Sequence, residues 1–137
     1  MNSFSRTIDV LHRAMNVGNL RHSVYADNLA NKDVPNFKRT EVNFESSLKK
    51  AILSESYKPR FIMARNDPRH ITNWKQIDYR NVEPRRVLDY TSTYNNDGNN
   101  VDPDVEMNNL LKNQMRYTLY AQAAAFEYGQ VALVLRS

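Results

Sequence analysis

Three histidines, His12, His22 and His70, and an acidic triplet, Asp102, Asp104 and Glu106, are the side chains best suited to hold a metal or move a proton. Neither group has the spacing that such chemistry needs. His12 and His22 lie ten residues apart, so a straight helix returns them to one face but separates them by roughly 15 Å. A seam or surface position is the plainer account of each histidine. A calcium loop with Gly98 at its glycine position would put Thr93 first and Asp104 twelfth, where aspartate and glutamate are required. Helix capping explains the acids better. Cysteine is absent, which removes disulfides and thiolate metal sites. No HExxH, nucleophile elbow or glycine-rich phosphate loop occurs, with glycine only at 18, 98 and 129. The expectation is a protein with no cofactor, no metal, no small-molecule substrate and no catalysis.

Something other than chemistry must then organise the chain. Its 137 residues are the size of one domain, yet only 41% are hydrophobic. Asparagine is abundant around 95–100, and eight tyrosines accompany a single tryptophan. That composition suits an elongated or partner-dependent chain better than a compact core. The net charge is +4, with the excess in residues 32–101 and only scattered adjacent basic pairs. A solvated surface accounts for this more simply than a phosphate-tracking patch, which clusters on one face. The N-terminus, MNSFSRTIDVLHRAM, lacks the basic flank and apolar run of a secretory signal. No stretch approaches the roughly 20 apolar residues that span a bilayer. A route out of the cytoplasm would need neither signal peptidase nor a membrane anchor.

Two terminal segments carry clear helical periodicity. Met107, Leu110, Gln114, Tyr117, Ala121, Ala124, Tyr128, Val131 and Leu135 step by threes and fours along a heptad seam. Asp102 suits the N-cap, Pro103 the first helical position, and Asp104 and Glu106 the positive end of the dipole. A helix over 103–135 follows, roughly 50 Å long. Phe4, Ile8, Leu11, Met15, Gly18, His22, Tyr25 and Leu29 form a matching seam, which predicts a helix over 4–30. Each helix also has a second apolar stripe: Val10, Ala14, Val17 and Val24 on one, Leu111, Met115, Leu119, Phe126 and Leu133 on the other. Two helices cannot cover two stripes each, so neighbouring copies are the natural cover.

The fold class expected is therefore mainly α, with two long terminal helices in a coiled-coil-like hairpin around an irregular middle. The segments are 1–31, 32–101 and 102–137, together one structural unit. In the middle, 41–53 suits a short helix, with Phe44, Leu48 and Ile52 at steps of four. RFIMA (60–64) and RRVLDY (85–90) read as short strands, and NNDGNN (95–100) as a turn or flexible linker. Much of 54–100 is expected to be extended unless a partner orders it.

Asn28-Leu29-Ala30-Asn31, followed by Val34-Pro35-Asn36-Phe37-Lys38-Arg39, resembles the N-terminal signature of the axial rod and hook proteins of the bacterial flagellum. That signature usually reads Asn-(Leu/Ile)-Ala-Asn, then Thr-Pro-Gly-Tyr and a basic residue. Valine, asparagine and phenylalanine replace threonine, glycine and tyrosine here. Asp97, Gly98, Asn99, Val101, Asp102, Glu106, Met107, Asn113 and Tyr117 resemble the second motif of the family's proximal-rod branch, position by position. VNFESSL (42–48) and RNDPRHI (65–71) are similar to that branch too. A related rod protein, FlgC, would instead show a Gly-Tyr-Val approach to the last helix.

The resemblance implies a structural subunit of the proximal rod in the periplasm, exported by the flagellar type III apparatus without a cleavable signal. It would polymerise through its terminal helices, linking the MS ring to the rest of the rod and transmitting torque. The implied partners are further copies, other rod proteins of FlgC, FlgF and FlgG type, a FliE-type adaptor, the MS ring and the export gate. An export pattern of Phe-x-x-x-apolar type fits Phe44 to Leu48, and also Phe4 to Ile8. An ordinary helix contact explains either pair at least as well, and Phe44 with Leu48 is the favoured candidate.

The rival from another class is a basic helical nucleic-acid-binding module, stacking bases on Trp74, Tyr79 and Phe61. On the leading account no nucleic acid is bound. The motif DNLANKDVPNFKR (27–39) then reads as a joint where a helix stops. Asn28 and Asn31 can close free carbonyls at the helix end. Pro35 turns Val34 out of helical geometry, Asn36 turns the chain, and Phe37 folds back onto apolar surface. Lys32, with Lys38 and Arg39 as further candidates, would sit at the negative end of the dipole.

Overall fold

A computed structural model describes residues 2–57, 59–61, 63–64, 66–67, 69–71 and 74–136. The protein is mainly helical. Helix α1 spans Ser3–Ala30, strand β1 Thr40–Asn43, helix α2 Glu45–Ser56, strand β2 Arg85–Leu88 and helix α3 Pro103–Leu135, with a 3₁₀ turn over Tyr79–Asn81. The chain gathers into two compact units, Met1–Val42 with Arg86–Ser137, and Asn43–Arg85.

In the first unit, local capping sets both long helices. The Asn2 side chain accepts the Phe4 N–H at 3.4 Å, and the Asn31 N–H closes onto the carbonyls of Asp27 and Asn28. At α3, Asp102 accepts the N–H groups of Asp104 and Val105 at 2.9 and 3.3 Å, and Pro103 occupies the first turn. Both helices fall within one residue of the expected bounds; the Asp102 and Pro103 start was expected, and the Asn2 cap was not.

Contacts between the two helices run in opposite chain directions. Phe4 meets Tyr128 edge to face at 5.8 Å between ring centroids. Asn113 donates to the Gly18 carbonyl at 2.8 Å, and Asn28 donates to Glu106 at 3.1 Å. Gly18 is where side chains of α3 press on α1, since a Cβ there would lie 3.3 Å from the Tyr117 ring. The interior holds Ile8, Val17, Val24, Val101 and Ala124, but also Asn28, Asn99, Asn100, Glu106 and Asn113. So much buried polarity needs partners, and nearly every group has one.

That interior divides the seam residues. Leu11, Met15, Tyr25, Leu29, Leu110 and Tyr117 are half-buried and Ala124 is buried, whereas Met107, Ala121, Tyr128, Val131 and Leu135 are exposed. Burial pushes the Tyr25 phenol up, against the pull of the Arg21 guanidinium. The face of α3 turned to α1 is partly polar, with Glu106 and Asn113 seven residues apart upon it.

In the second unit Phe44, Ala51, Tyr79 and Val82 make a small core. Ser54 ties α2 to the following segment by accepting the Ile77 N–H at 2.9 Å. Three expectations for the middle need correction. The helix proposed over 41–53 begins only at Glu45, because Thr40–Asn43 forms β1 and pairs with β2. The strand at RFIMA does not form over its described residues, and Ile62 lies outside the described residues. Arg65 and Pro68, part of the 65–71 resemblance, lie outside them too. Of the two readings of NNDGNN the turn forms, with the Gly98 N–H on the Asn95 carbonyl at 3.3 Å, and the flexible linker needs correction: Asn99 and Asn100 are 0% and 3% exposed. Each amide meets several backbone groups, which composition alone does not reveal. The strand over Arg85–Leu88 forms within the expected RRVLDY stretch.

Candidate assembly site

The motif Asn28–Phe37 and the motif Asp97–Met107 meet at one joint in the first unit. Asn99 lies at its centre. Its Nδ2 points at the carbonyls of Asn31, Lys32 and Val34 at 3.0, 3.0 and 2.8 Å, just where α1 runs out of donors. Its Oδ1 accepts the Val101 N–H at 2.7 Å. Asn31 does close a carbonyl of its own helix, that of Asp27, at 2.7 Å. Asn28 does not. Its amide reaches the main chain of Thr40, donating and accepting at 2.9 Å each, and also donates to Glu106.

Around Pro35 the chain turns as its residues suggest. Asn36 takes the left-handed φ of 60°, and its N–H bonds the Asp97 carbonyl at 3.1 Å. Gly98 answers with φ 83°, and a Cβ there would fall 2.7 Å from Asn36 Oδ1. Here glycine is required twice over, by conformation and by space. Phe37 is half-buried. The basic side chains bond groups other than the carbonyls at the end of α1. Lys32 bonds Asp33, Lys38 bonds the Gly98 carbonyl at 2.7 Å, and Arg39 turns into the joint.

Glu106, only 1% exposed, is the buried charge of this joint. Arg39 Nε lies 3.2 Å from Glu106 Oε1, but the N–H is not aimed at that oxygen. The pair therefore attracts through charge without a formed hydrogen bond. Arg39 Nη2 bonds Glu41 at 2.7 Å. Burial pushes the Glu106 carboxyl up, while the Asn28 amide and the Arg39 charge pull it down. Glu106 is thus more than a complement to the helix dipole.

Asn100 completes the joint. It accepts the Arg39 N–H at 2.7 Å and donates to the Asp89 carbonyl at 2.7 Å. The Asp89 carboxylate takes four bonds from Thr91 and Ser92, the Ser92 hydroxyl foremost, which hold it well below the usual carboxylate range. Thr40 and Asn100 were outside the expected site, and Arg39 was expected only at the helix dipole. Their signal in sequence was faint: a run of amides facing a helix end whose carbonyls needed donors.

The second surface is α3 itself. Leu111, Met115, Leu119, Phe126 and Leu133 are 58 to 65% exposed, the stripe that the helix pair leaves uncovered. An apolar stripe of this length marks an interaction face rather than scattered surface leucines. Phe44 and Leu48 are not on it: Phe44 is buried and its carbonyl accepts the Leu48 N–H at 2.9 Å. Of the three aromatic residues offered for base stacking, Tyr79 is buried as well. Among the described residues no three His, Asp or Glu side chains gather to hold a metal ion. No described helix is long and apolar enough to cross a membrane.

No protein-family model matches the chain. Among curated proteins it is 45% identical over 136 residues to the flagellar basal body rod protein FlgB of Borrelia hermsii, covering 99% of this chain and 100% of that one. It is 44% identical to FlgB of Borreliella burgdorferi over the same extent, and 28% identical to FlgB of Bacillus subtilis over 98% of this chain and 97% of that one.

Proposed function

The chain belongs to the family of flagellar basal body rod proteins FlgB, and from that premise we propose that it is a structural subunit of the proximal rod. The observation that carries this is the bare apolar stripe of α3, Leu111 to Leu133. In the rod, neighbouring subunits cover it, and the α1–α3 pair packs as a coiled-coil-like stave. The joint holds the stave's end stiff, so that torque passes through it from the MS ring outward. The neighbours are further copies, rod proteins of FlgC, FlgF and FlgG type, and a FliE-type adaptor. No catalysis and no nucleic acid enter this role.

The subunit reaches the periplasmic rod through the flagellar type III export gate. Phe44 and Leu48 serve as its export signal only in the unfolded chain, because folding buries the Phe44 ring. The decisive experiment replaces Leu119 and Phe126 together by glutamate in the cell. Both side chains are exposed, so the purified variant should keep its helix content and melting point. Export should continue, rods should fail to form, and swimming should stop. Cells that swim normally with this variant would refute the assembly face.

A further inference from the structure

β1 and β2 form a two-stranded sheet. The Asp89 N–H donates to the Arg39 carbonyl at 2.9 Å just beyond the strands, which sets an antiparallel register with Thr40 opposite Leu88. One edge of this sheet is already closed. Asn28 bonds both main-chain groups of Thr40, and Arg21 Nη2 donates to the Val42 carbonyl at 3.1 Å. Helix α1 thus acts through two side chains as the missing neighbour of β1.

The other edge has no such cover. In an antiparallel ladder the main-chain groups of alternate residues point to opposite edges. Thr40 and Val42 turn theirs to α1, so on β2 the N–H and C=O of Arg86 and Leu88 fall on the outer edge. All of β2 is exposed, Val87 at 49% and Leu88 at 47%. Beside this edge opens a cleft of about 320 Å³, lined by Val24, Asp27, Asn28, Phe37, Thr40, Arg86 and Leu88, with Arg86 its one cation. Arg86 forms no ion pair among the described residues.

We propose that β2 is a docking edge for an extended segment of a partner polypeptide, which adds to the sheet as a third strand. Main-chain bonds to Arg86 and Leu88 supply the attachment, and the cleft selects the side chains. Residues facing Leu88 and Arg86 on the added strand lie two apart and share their face. The first is a large apolar side chain that enters the cleft between Val24, Phe37 and Leu88. The second is a carboxylate set against Arg86. The partner's signature is therefore apolar-x-acidic in an extended stretch. Pairing of two β2 edges is disfavoured, because it would set basic strands (RRVL) side by side, and β1 (TEVN) lacks the pattern.

The test is a titration of the full chain with a fluorescein-labelled octapeptide, Thr-Thr-Thr-Leu-Thr-Glu-Thr-Thr, followed by anisotropy and amide exchange. Saturable binding is expected, with exchange slowed at the amides of Arg86 and Leu88. Arg86→Glu, an exposed change that should leave melting unaltered, should weaken binding about tenfold, and lysine in place of the peptide's glutamate should restore it. Methylating the peptide nitrogens that face β2 should abolish binding. No saturable binding, equal binding by Arg86→Glu, or protection on α3 instead of β2 would each overturn the proposal. Self-association of the chain that protects the same two amides would assign the edge to a second copy and overturn it too.

Discussion

The Asn28 side chain stands in for a β-strand at Thr40, donating one hydrogen bond and accepting another at 2.9 Å each, while the same amide reaches Glu106 at 3.1 Å. One side chain thus ties α1 to the sheet and to α3.

Replacing it should be costly. Asn28→Ala leaves a buried carboxylate and two strand groups short of partners, and should cost roughly 3 kcal/mol. Asn28→Asp should cost more at neutral pH, since it loses both donors and sets a second carboxylate beside Glu106. Urea unfolding of the three proteins would show the order, and a loss below about 1 kcal/mol for Asn28→Ala would contradict the joint.

The two glycines at opposite ends of the second motif and α3 should respond with opposite signs. Gly98→Ala forces a Cβ within 2.7 Å of Asn36 Oδ1 at a φ of 83° and should destabilise by about 1–2 kcal/mol or more. Gly129 lies inside α3 with nothing within 4 Å of its added Cβ, so Gly129→Ala should stabilise by about 0.5–1 kcal/mol. Thermal melts of the two variants decide this directly.

Stability should peak in mild acid. Burial raises the Glu106 carboxyl above the ordinary glutamate range. Folding therefore tightens its hold on the proton, and its contribution is complete below the unfolded value and fades as pH climbs through the folded one. The Asp89 carboxyl is depressed, chiefly by the Ser92 hydroxyl, so its contribution is complete above the unfolded value and fades as pH falls. Glu106→Gln should flatten the decline on the alkaline side and leave the acid side alone. An unchanged alkaline limb in unfolding midpoints measured across pH would show that Glu106 does not titrate there.

Ala124 and Ala121 lie on the same helix but should behave differently. Ala124 is 6% exposed, so Ala124→Asp buries an unpaired charge and should cost more than about 3 kcal/mol. Ala121 is exposed, and Ala121→Asp should shift stability by less than about 0.5 kcal/mol. In cells, loss of swimming with Ala121→Asp would then report on packing between subunits, not on folding of one.

The start of α1 was read from its apolar seam, while the start of α3 was legible because capping is local: Asp102 and Pro103 act within three residues of themselves. The turn at Asn36 was legible for the same reason. The joint was not, because its decisive bonds link distant residues. Nothing near Glu106 announces that Arg39 and Asn28 await it, and an acid in a first helical turn already has a sufficient local explanation. The same holds for Asn99 and Asn100, whose neighbours are turn formers and whose partners lie elsewhere. Strand β1 was hidden by a further conflict. Its four residues precede a helix of similar periodicity, and their extended form depends on the Asn28 amide.

The span of these bonds has a consequence in time. Asn113 to Gly18 bridges 95 residues, Asn28 to Glu106 78, and Asn99 to Asn31 68. A ribosome adding about 5–20 residues per second needs roughly 5–20 s to cross the longest of these intervals. Through that interval α1 exists without the helix that covers it, and its end lacks the amide that seals it. The nascent chain therefore stays open until almost its last quarter is made, and folding becomes an event of completion rather than of growth.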